Sequence, residues 1–427
     1  MNYQEAIRRL ESLIDYERTP AAAQAARVWN LDRIAYMLQA VGNPHLDTKF
    51  LHIAGTRGKG STAAVTASIL TSAGYRTGLY TSPHLQCFRE RIRIDGEMIP
   101  EAELAALVEE TQPIVEKMSR SEIGAPSFFD VYTFLALMHF ARKKVDFAIL
   151  EPGLGGRLDA TNVVTPIACA ITRIGVDHTE ELGNTLAQIA GEKAGIIKPG
   201  VPVVTSEQPD EAMEVLEGIC RERGCRLVPA PTVEITHADE FGQKLRVNEL
   251  ELECPLLGAH QAENVAVAIG LIGQIGRIGL TVSNEAIIEG VRAVCWPGRF
   301  QIVRRNPHVI LDGAHDETGA KALVATMRSL FPRRRVILVF GMVRGHDTEA
   351  VARVLAPLAD KVYVTAADSP RAVDPSVIQK YVSGDIVVPV AEAVVKAINE
   401  AGEEDVVLVT GSLYIVGEAM TSLGISA

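Results

Sequence analysis

The chain has 427 residues, 47% of them hydrophobic and 22% charged, with a formal net charge of −11. That length exceeds what one core usually fills, so two domains are expected, and the balance is that of a packed chain rather than a disordered one. The negative charge argues against a nucleic-acid partner, which needs a basic face, but leaves room for a local basic pocket around an anionic substrate.

Residues 1–17 set charged against apolar side chains at helical spacing and lack the apolar centre of a signal peptide. The richest apolar run, Val265 to Gly273, is about half the roughly 18 residues that a membrane-spanning helix needs, so no membrane association is expected. Six cysteines (Cys87, Cys169, Cys220, Cys225, Cys254, Cys295) form no CxxC pair and read as buried or incidental thiols of a cytoplasmic protein.

From residue 49 onward short apolar runs alternate with amphipathic stretches. Residues 50–54 predict a strand, Ser61 to Ser72 a helix closed by Gly74, and Thr77 to Thr81 a second strand. Helix is expected over Phe128 to Arg142 and Leu186 to Ile197, and strand over Val145 to Leu150, Ile167 to Thr172 and Val201 to Thr205. Strands alternating with helices imply a parallel sheet buried on both faces. Residues 231–256 break the rhythm. Lys244 to Cys254 alternates apolar with polar, which predicts a small antiparallel appendage, followed by helices over Gln261 to Ile275 and Asn284 to Val294. Trp296-Pro297-Gly298-Arg299-Phe300 then punctuates the chain. Beyond it strands are expected at 309–311, 336–340, 362–365, 386–390 and 406–410. The reading is therefore α/β. A phosphate-loop ATPase domain with a parallel sheet spans 1–297, and a smaller Rossmann-like α/β domain spans 298–427.

Gly55-Thr56-Arg57-Gly58-Lys59-Gly60-Ser61-Thr62 lies between a predicted strand and a predicted helix. Glycines let the backbone approach phosphates, and free N–H groups at a helix start face an anion. Lys59 adds a point charge, and Ser61 or Thr62 offers a hydroxyl to magnesium. The spacing departs from the usual loop: Ile53 stands where the first glycine would be, and Gly60 follows the lysine in place of Ser or Thr. Glu151 follows an apolar strand, where ligands of open parallel sheets bind and an acid can hold magnesium. The glycine-rich stretch 153–162 beside it, with Arg157 and Asp159, suggests close backbone approach to a ligand. His178 follows the next strand by a short loop and could ligate a cation. Lys193 lies in a predicted helix, where a lysine is ordinarily a solvated surface charge.

Taken together, HIAGTRGKGST (52–62), SPHLQCFRERIRI (82–94), EPGLGGRLDATNV (151–163), DHTEELGNT (177–185), EKAGIIKP (192–199), HQAEN (260–264), WPGRF (296–300) and DGAHD (312–316) resemble the folylpolyglutamate synthase family, often combined with dihydrofolate synthase, within the Mur ligase superfamily. The resemblance implies an ATP-dependent ligase that adds L-glutamate to a folate, or to dihydropteroate, through an acyl phosphate. It implies nucleotide contacts from Gly55, Thr56, Gly58, Lys59, Gly60, Ser61, Thr62, Asn264, Arg299 and Asp312, with Lys59, Lys193, Asp312 and His315 closest to the chemistry. It implies two Mg²⁺ sites drawn from Ser61, Ser82, Glu151 and His178, and carboxylation of Lys193 by carbon dioxide. The folate precursor is expected near Leu31, Asp32 and Arg33, near Ser127, Phe128, Phe129 and Asp130, and near Leu158, Asp159 and Ala160, where aromatic rings would stack on a flat pterin. A monomer is expected. Arg57, Pro152 and Asp316 stand where Asn, Val and Asn are usual in the family. Two other readings stay open: a Mur-type ligase acting on a cell-wall precursor or a poly-amino acid, and a regulatory protein that hydrolyses ATP without ligation.

Overall fold

The computed structural model describes residues 1–13 and 30–427, so the end of the expected first helix lies outside the described residues. An eight-stranded sheet holds β1 (Lys49–Ala54), β2 (Thr77–Tyr80), β3 (Ile92–Ile94), β4 (Glu97–Met98), β5 (Phe147–Leu150), β6 (Pro166–Ile171), β7 (Val203–Thr205) and β8 (Leu227–Pro229). Its order is β4-β3-β2-β5-β1-β6-β7-β8. The strands from β2 to β8 across the sheet are parallel, and β3 and β4 add an antiparallel edge. That edge hairpin turns at Asp95-Gly96, both at positive φ, which is the backbone a two-residue hairpin loop requires.

Alternate strand residues point to opposite faces. Phe50, Tyr80, Ala148 and Leu150 pack under the helices Tyr3–Glu11, Asp32–Ala40, Glu101–Ser119 and Phe128–Lys143. Leu51, Ile53, Leu79 and Ile149 pack under Lys59–Ser72, Ala259–Arg277 and Asn284–Ala293. Burial on both faces explains why these strands read as unbroken apolar runs.

The antiparallel appendage is a three-stranded meander of β9 (Val233–Asp239), β10 (Gly242–Val247) and β11 (Leu250–Cys254). Its alternating side chains Leu245, Val247, Leu252 and Cys254 join the core of the large sheet. A third sheet contains β12 (Gln301–Arg305), β13 (His308–Asp312), β14 (Val336–Phe340), β15 (Lys361–Val364), β16 (Asp385–Ile386) and β17 (Val406–Thr410), ordered β12-β13-β17-β14-β15-β16. All are parallel except β12, which is antiparallel to β13.

Three expectations need correction. β12 precedes what was read as the first strand beyond 297; its QIVRR composition hides an edge strand. The strand expected at 386–390 ends at Ile386, because Pro389 caps the helix Val390–Glu400. Asp312 ends its strand rather than following it.

The helix Asn284–Ala293 presses on the phosphate-loop helix at Gly290. A Cβ there would overlap the backbone of Ile69, and Ser68 Oγ donates to the Gly290 carbonyl at 2.6 Å. Gly290→Ala should therefore destabilise the protein by about 1–3 kcal/mol through overpacking. Gly273→Ala, in open space on the neighbouring helix, should stabilise it by roughly 0.5–1 kcal/mol. Chemical denaturation of both variants checks the pair of signs.

Candidate active site

β1 delivers the chain into the loop 55–60, where three glycines are crowded by four neighbours. Gly55 sits at φ +149 with no room for a Cβ beside Thr172, and Gly58 sits at φ +85 with Asn264 Oδ1 filling the place of its side chain. A Cβ on Gly60 would stand 3.0 Å from the Trp296 ring and 3.3 Å from Glu151 Oε2. The position after the lysine is thus tight: a side chain there would need the Trp296 ring and the Glu151 carboxylate to give by a few tenths of an ångström.

The Thr56 and Arg57 N–H groups donate to the Arg173 carbonyl at 3.1 and 3.2 Å, and Thr56 Oγ1 bonds both polar groups of the Gly175 backbone at 3.0 Å. The loop is thereby pinned to the end of β6. The helix Lys59–Ser72 starts from Gly58 without a side-chain cap. Its first-turn N–H groups have no intrahelical acceptor, which makes an anion seat. Lys59 Nζ lies 3.4 Å from the Thr56 carbonyl and 3.9 Å from Glu151 Oε1. Ser61 and Thr62 are buried, and Thr62 Oγ1 turns to the Asn264 carbonyl at 3.5 Å, which leaves Ser61 as the hydroxyl on the loop side. Asn264 Nδ2 in turn donates to Gln261 Oε1 at 3.0 Å.

Glu151 is buried at the end of β5 and accepts the Ser82 N–H at 3.3 Å. Burial raises its carboxyl against the opposing pull of Lys59. His178 is exposed, in the left-handed region at φ 49, 3.8 Å from Asp177 and 3.9 Å from Glu181. Among the described residues no three His, Cys, Asp or Glu side chains form a ready metal cluster. Glu151 and Ser82 meet, while His178 lies with Asp177 at the end of β6.

Lys193 corrects the expectation of a solvated surface charge. It is buried, and its Nζ donates to the Gly55 carbonyl at 2.8 Å, under the phosphate loop. Burial, reinforced by Lys59 and Arg57, pulls its amine down to about 7.

The third sheet faces the same loop. Phe300 takes φ 45, rare for a bulky residue, and is held there by its N–H to Asp312 Oδ2 at 2.8 Å. Its ring enters the core beyond β12, near Phe331, while Arg299 lies across Gly313 with no hydrogen-bond partner among the described residues. Asp312 uses its other oxygen on the Ala314 N–H at 2.8 Å, so it orders this turn with both oxygens. His315 Nδ1 donates to the Gly313 carbonyl at 2.8 Å; a carbonyl can only accept, so in the neutral ring the lone pair lies on Nε2.

Two histidines that the sequence reading passed over join the site. His346, in the loop after β14, has its ring centre 4.6 Å from that of His315 and 6.3 Å from that of His178. Burial and His315 lower it to about 4. Burial pushes the Asp177 carboxyl up, but the three histidines and Lys59 outweigh it and hold the group below its usual range. His260 is lowered by burial, with Asp312 and Arg299 near it. The rule that ligands gather at strand ends picked out Glu151 and would have picked out His346 too.

Several of the expected folate residues make contacts within the fold. Ser127 and Asp130 form the capping box of the helix Phe128–Lys143, with Asp130 raised by burial despite Arg33. Phe128 is 1% exposed and stacks on Tyr132 at 5.2 Å, so it is core and offers no stacking face. Phe129 is edged against Gly153, whose Cβ it would exclude. Asp159 is buried and collects the N–H groups of Gly153, Leu154 and Thr161, and Ala160 is buried behind it. Asp32 is exposed, Leu158 is half-buried and Arg33 is buried.

An anion seat with a lysine, a buried carboxylate and a facing imidazole is the equipment for phosphorylating a carboxylate and trapping the product. The comparisons agree. The Mur ligase middle domain matches residues 53–272, and the Mur ligase glutamate ligase domain matches 298–413. A Bacillus subtilis dihydrofolate synthase/folylpolyglutamate synthase is 36% identical over 93% of this chain and 98% of its own length. The crystal structure of Thermotoga maritima folylpolyglutamate synthase superposes with a TM-score of 0.85 at 36% identity, covering 99% of this chain and 96% of that one. Escherichia coli FolC in complex with DHPP and ADP superposes with a TM-score of 0.85 at 30% identity, covering 99% and 98%. Motif, geometry and likeness over nearly the whole length lead to one conclusion: the chain belongs to the Mur ligase family, in its folylpolyglutamate and dihydrofolate synthase branch.

Proposed function

We propose that this chain joins L-glutamate to the carboxylate of a folate, using ATP, and that dihydropteroate is a second acceptor. The observation that carries the reading is the meeting of Lys59, Glu151 and Trp296 around Gly60, with Arg299 and His315 approaching from the other sheet. The names of the relatives, and the ADP and DHPP bound by the Escherichia coli protein, support the substrate class.

A carboxylate is a poor electrophile, so the terminal phosphate of ATP is first transferred to it. The first-turn N–H groups and Lys59 hold and neutralise the phosphates. The glutamate amine then attacks the acyl phosphate, the new C–N bond forms, and phosphate leaves. In its neutral form His315, with Nδ1 held on the Gly313 carbonyl, would take the proton released from that amine at Nε2. Water would destroy the acyl phosphate, so the Arg299 side of the cleft must shut over it. We place the division between the two working halves at residue 297.

Magnesium fits this site: the buried Glu151 carboxylate with Ser82, and Ser61 on the loop, would hold it, and few protein ligands beside phosphates and waters is its habit. When bound it would neutralise phosphate charge; His178 would join only from the β6 side. Lys193 fits carboxylation, since an amine near 7 is partly neutral and can add to carbon dioxide, losing a proton to give a carbamate. The folate ring would lie on the glycine-rich side, over Phe129 and Leu158. We further read the protein as a cytoplasmic monomer without nucleic-acid or membrane partners. Among the described residues no helix is long and apolar enough to cross a membrane.

Lys59→Ala should cut glutamate-dependent ADP release about a hundredfold, the usual loss when one charge-stabilising donor is removed. Near-normal turnover at saturating substrates would reject its role. Arg299→Ala should abolish amide formation or uncouple it from ATP hydrolysis while the fold is kept. Following ADP and glutamylated product separately decides this, and normal ligation would sink the closure reading. Between pH 7 and 10.5 the unfolded chain binds more protons at Lys193 than the folded one, so this residue's stability cost fades as pH rises. Lys193→Met should thus be more stable than the parent at pH 7, the gap shrinking by up to about 1.4 kcal/mol per pH unit. Denaturant midpoints measured from pH 7 to 10 test it; a pH-independent gap would refute the buried, depressed amine.

A further inference from the structure

Two residues that depart from the family pattern, Arg57 and Asp316, lie against each other. Arg57 Nε and Nη2 donate to Asp316 Oδ1 at 3.0 and 2.8 Å, with side chains 23% and 19% exposed. The pair links residues 259 positions apart, one in the phosphate loop and one at the start of the helix Glu317–Leu330. Asp316 also accepts the Thr318 and Gly319 N–H groups at 2.9 Å, so its carboxylate is fixed as the cap of that helix. Arg57 is fixed too. Its N–H is bound to Arg173, and its guanidinium fills the space over Gly175 where a Cβ would stand. The residue before Asp316 is His315. A rigid donor fork therefore joins the loop that holds phosphate to the turn that carries the facing imidazole.

We propose that the Arg57–Asp316 ion pair is a positioning latch that sets His315 over the phosphate loop before any substrate arrives. The latch rests on the ligase reading only for what the preset arrangement serves. Arg57 is spent on Asp316 and does not bind nucleotide. A second contact between the sheets, Glu240 of the meander with His308, lies elsewhere and is left intact when the latch is cut.

The test uses the full chain with Arg57→Asn, Asp316→Asn and both together. Asparagine is as good a helix cap as aspartate, so Asp316→Asn removes the charge and keeps the helix start. Without substrates, hydrogen exchange over 55–60 and 313–319 should speed up about five- to tenfold in either single variant, as expected for a partly desolvated charged pair. The double variant should show no further increase, since a coupled pair is not additive. With substrates, both single variants should lose kcat to a similar degree while the dissociation constant of ATP changes less than twofold. Raised salt should slow the parent but not the variants. ATP affinity falling in Arg57→Asn alone would make Arg57 a nucleotide ligand and overturn the latch, as would additive effects or unchanged exchange. If the parent forms no amide with folate and glutamate, the ligase reading fails, and the exchange measurements still decide the latch.

Discussion

The architecture hangs on one steric fact: at the mouth of the large sheet, the loop 55–60 is wedged between side chains that crowd the Cβ positions of Gly55, Gly58 and Gly60. Thr172 closes one side, Asn264 another, and Trp296 with Glu151 the third. These come from β6's end, the Ala259–Arg277 helix, the 294–300 connector and β5's end. A bare loop of this shape would pay heavily in chain entropy. Here neighbours from across the chain hold it, and in holding it they become the walls of the site.

Electrostatics follows from that crowding. Lys59 stays near the cleft and faces Glu151, whereas Lys193 is driven beneath the loop and bonded to the Gly55 carbonyl. Burial lowers the Lys193 amine, and the charge of Lys59 lowers it further. The two lysines thus take different places around one loop, Lys59 facing Glu151 and Lys193 bonded to the Gly55 carbonyl. Burying a lysine this way costs stability.

Legibility in the sequence tracked local signal. The phosphate loop was readable because glycine, lysine and hydroxyl residues sat between a strand run and a helix run, and Glu151 because it ended an apolar strand. Lys193 was opaque: its hydrogen-bond partner is the Gly55 carbonyl 138 residues away, and nothing in a short helix announces that. Phe128 and Phe129 looked alike in sequence, yet only Phe129 reaches the glycine-rich turn while Phe128 is sealed by Tyr132. β12 escaped notice because an edge strand needs only one buried face, and QIVRR shows little apolar alternation. The departures at 57 and 316 made sense only as a pair in space.

The strapping of the connector has a mechanical meaning. Gly298 gives its carbonyl to the Gly313 N–H and its N–H to Gln301, and Phe300 is tied to Asp312. From Gly298 onward the chain therefore travels with the third sheet. Any swing of one half must be absorbed upstream, between the end of the helix at Ala293 and Pro297. Trp296 stands in that short stretch with its ring over Gly60. The connector and the ring that stands over Gly60 thus belong to one short segment, so a shift of the connector would be felt at the loop.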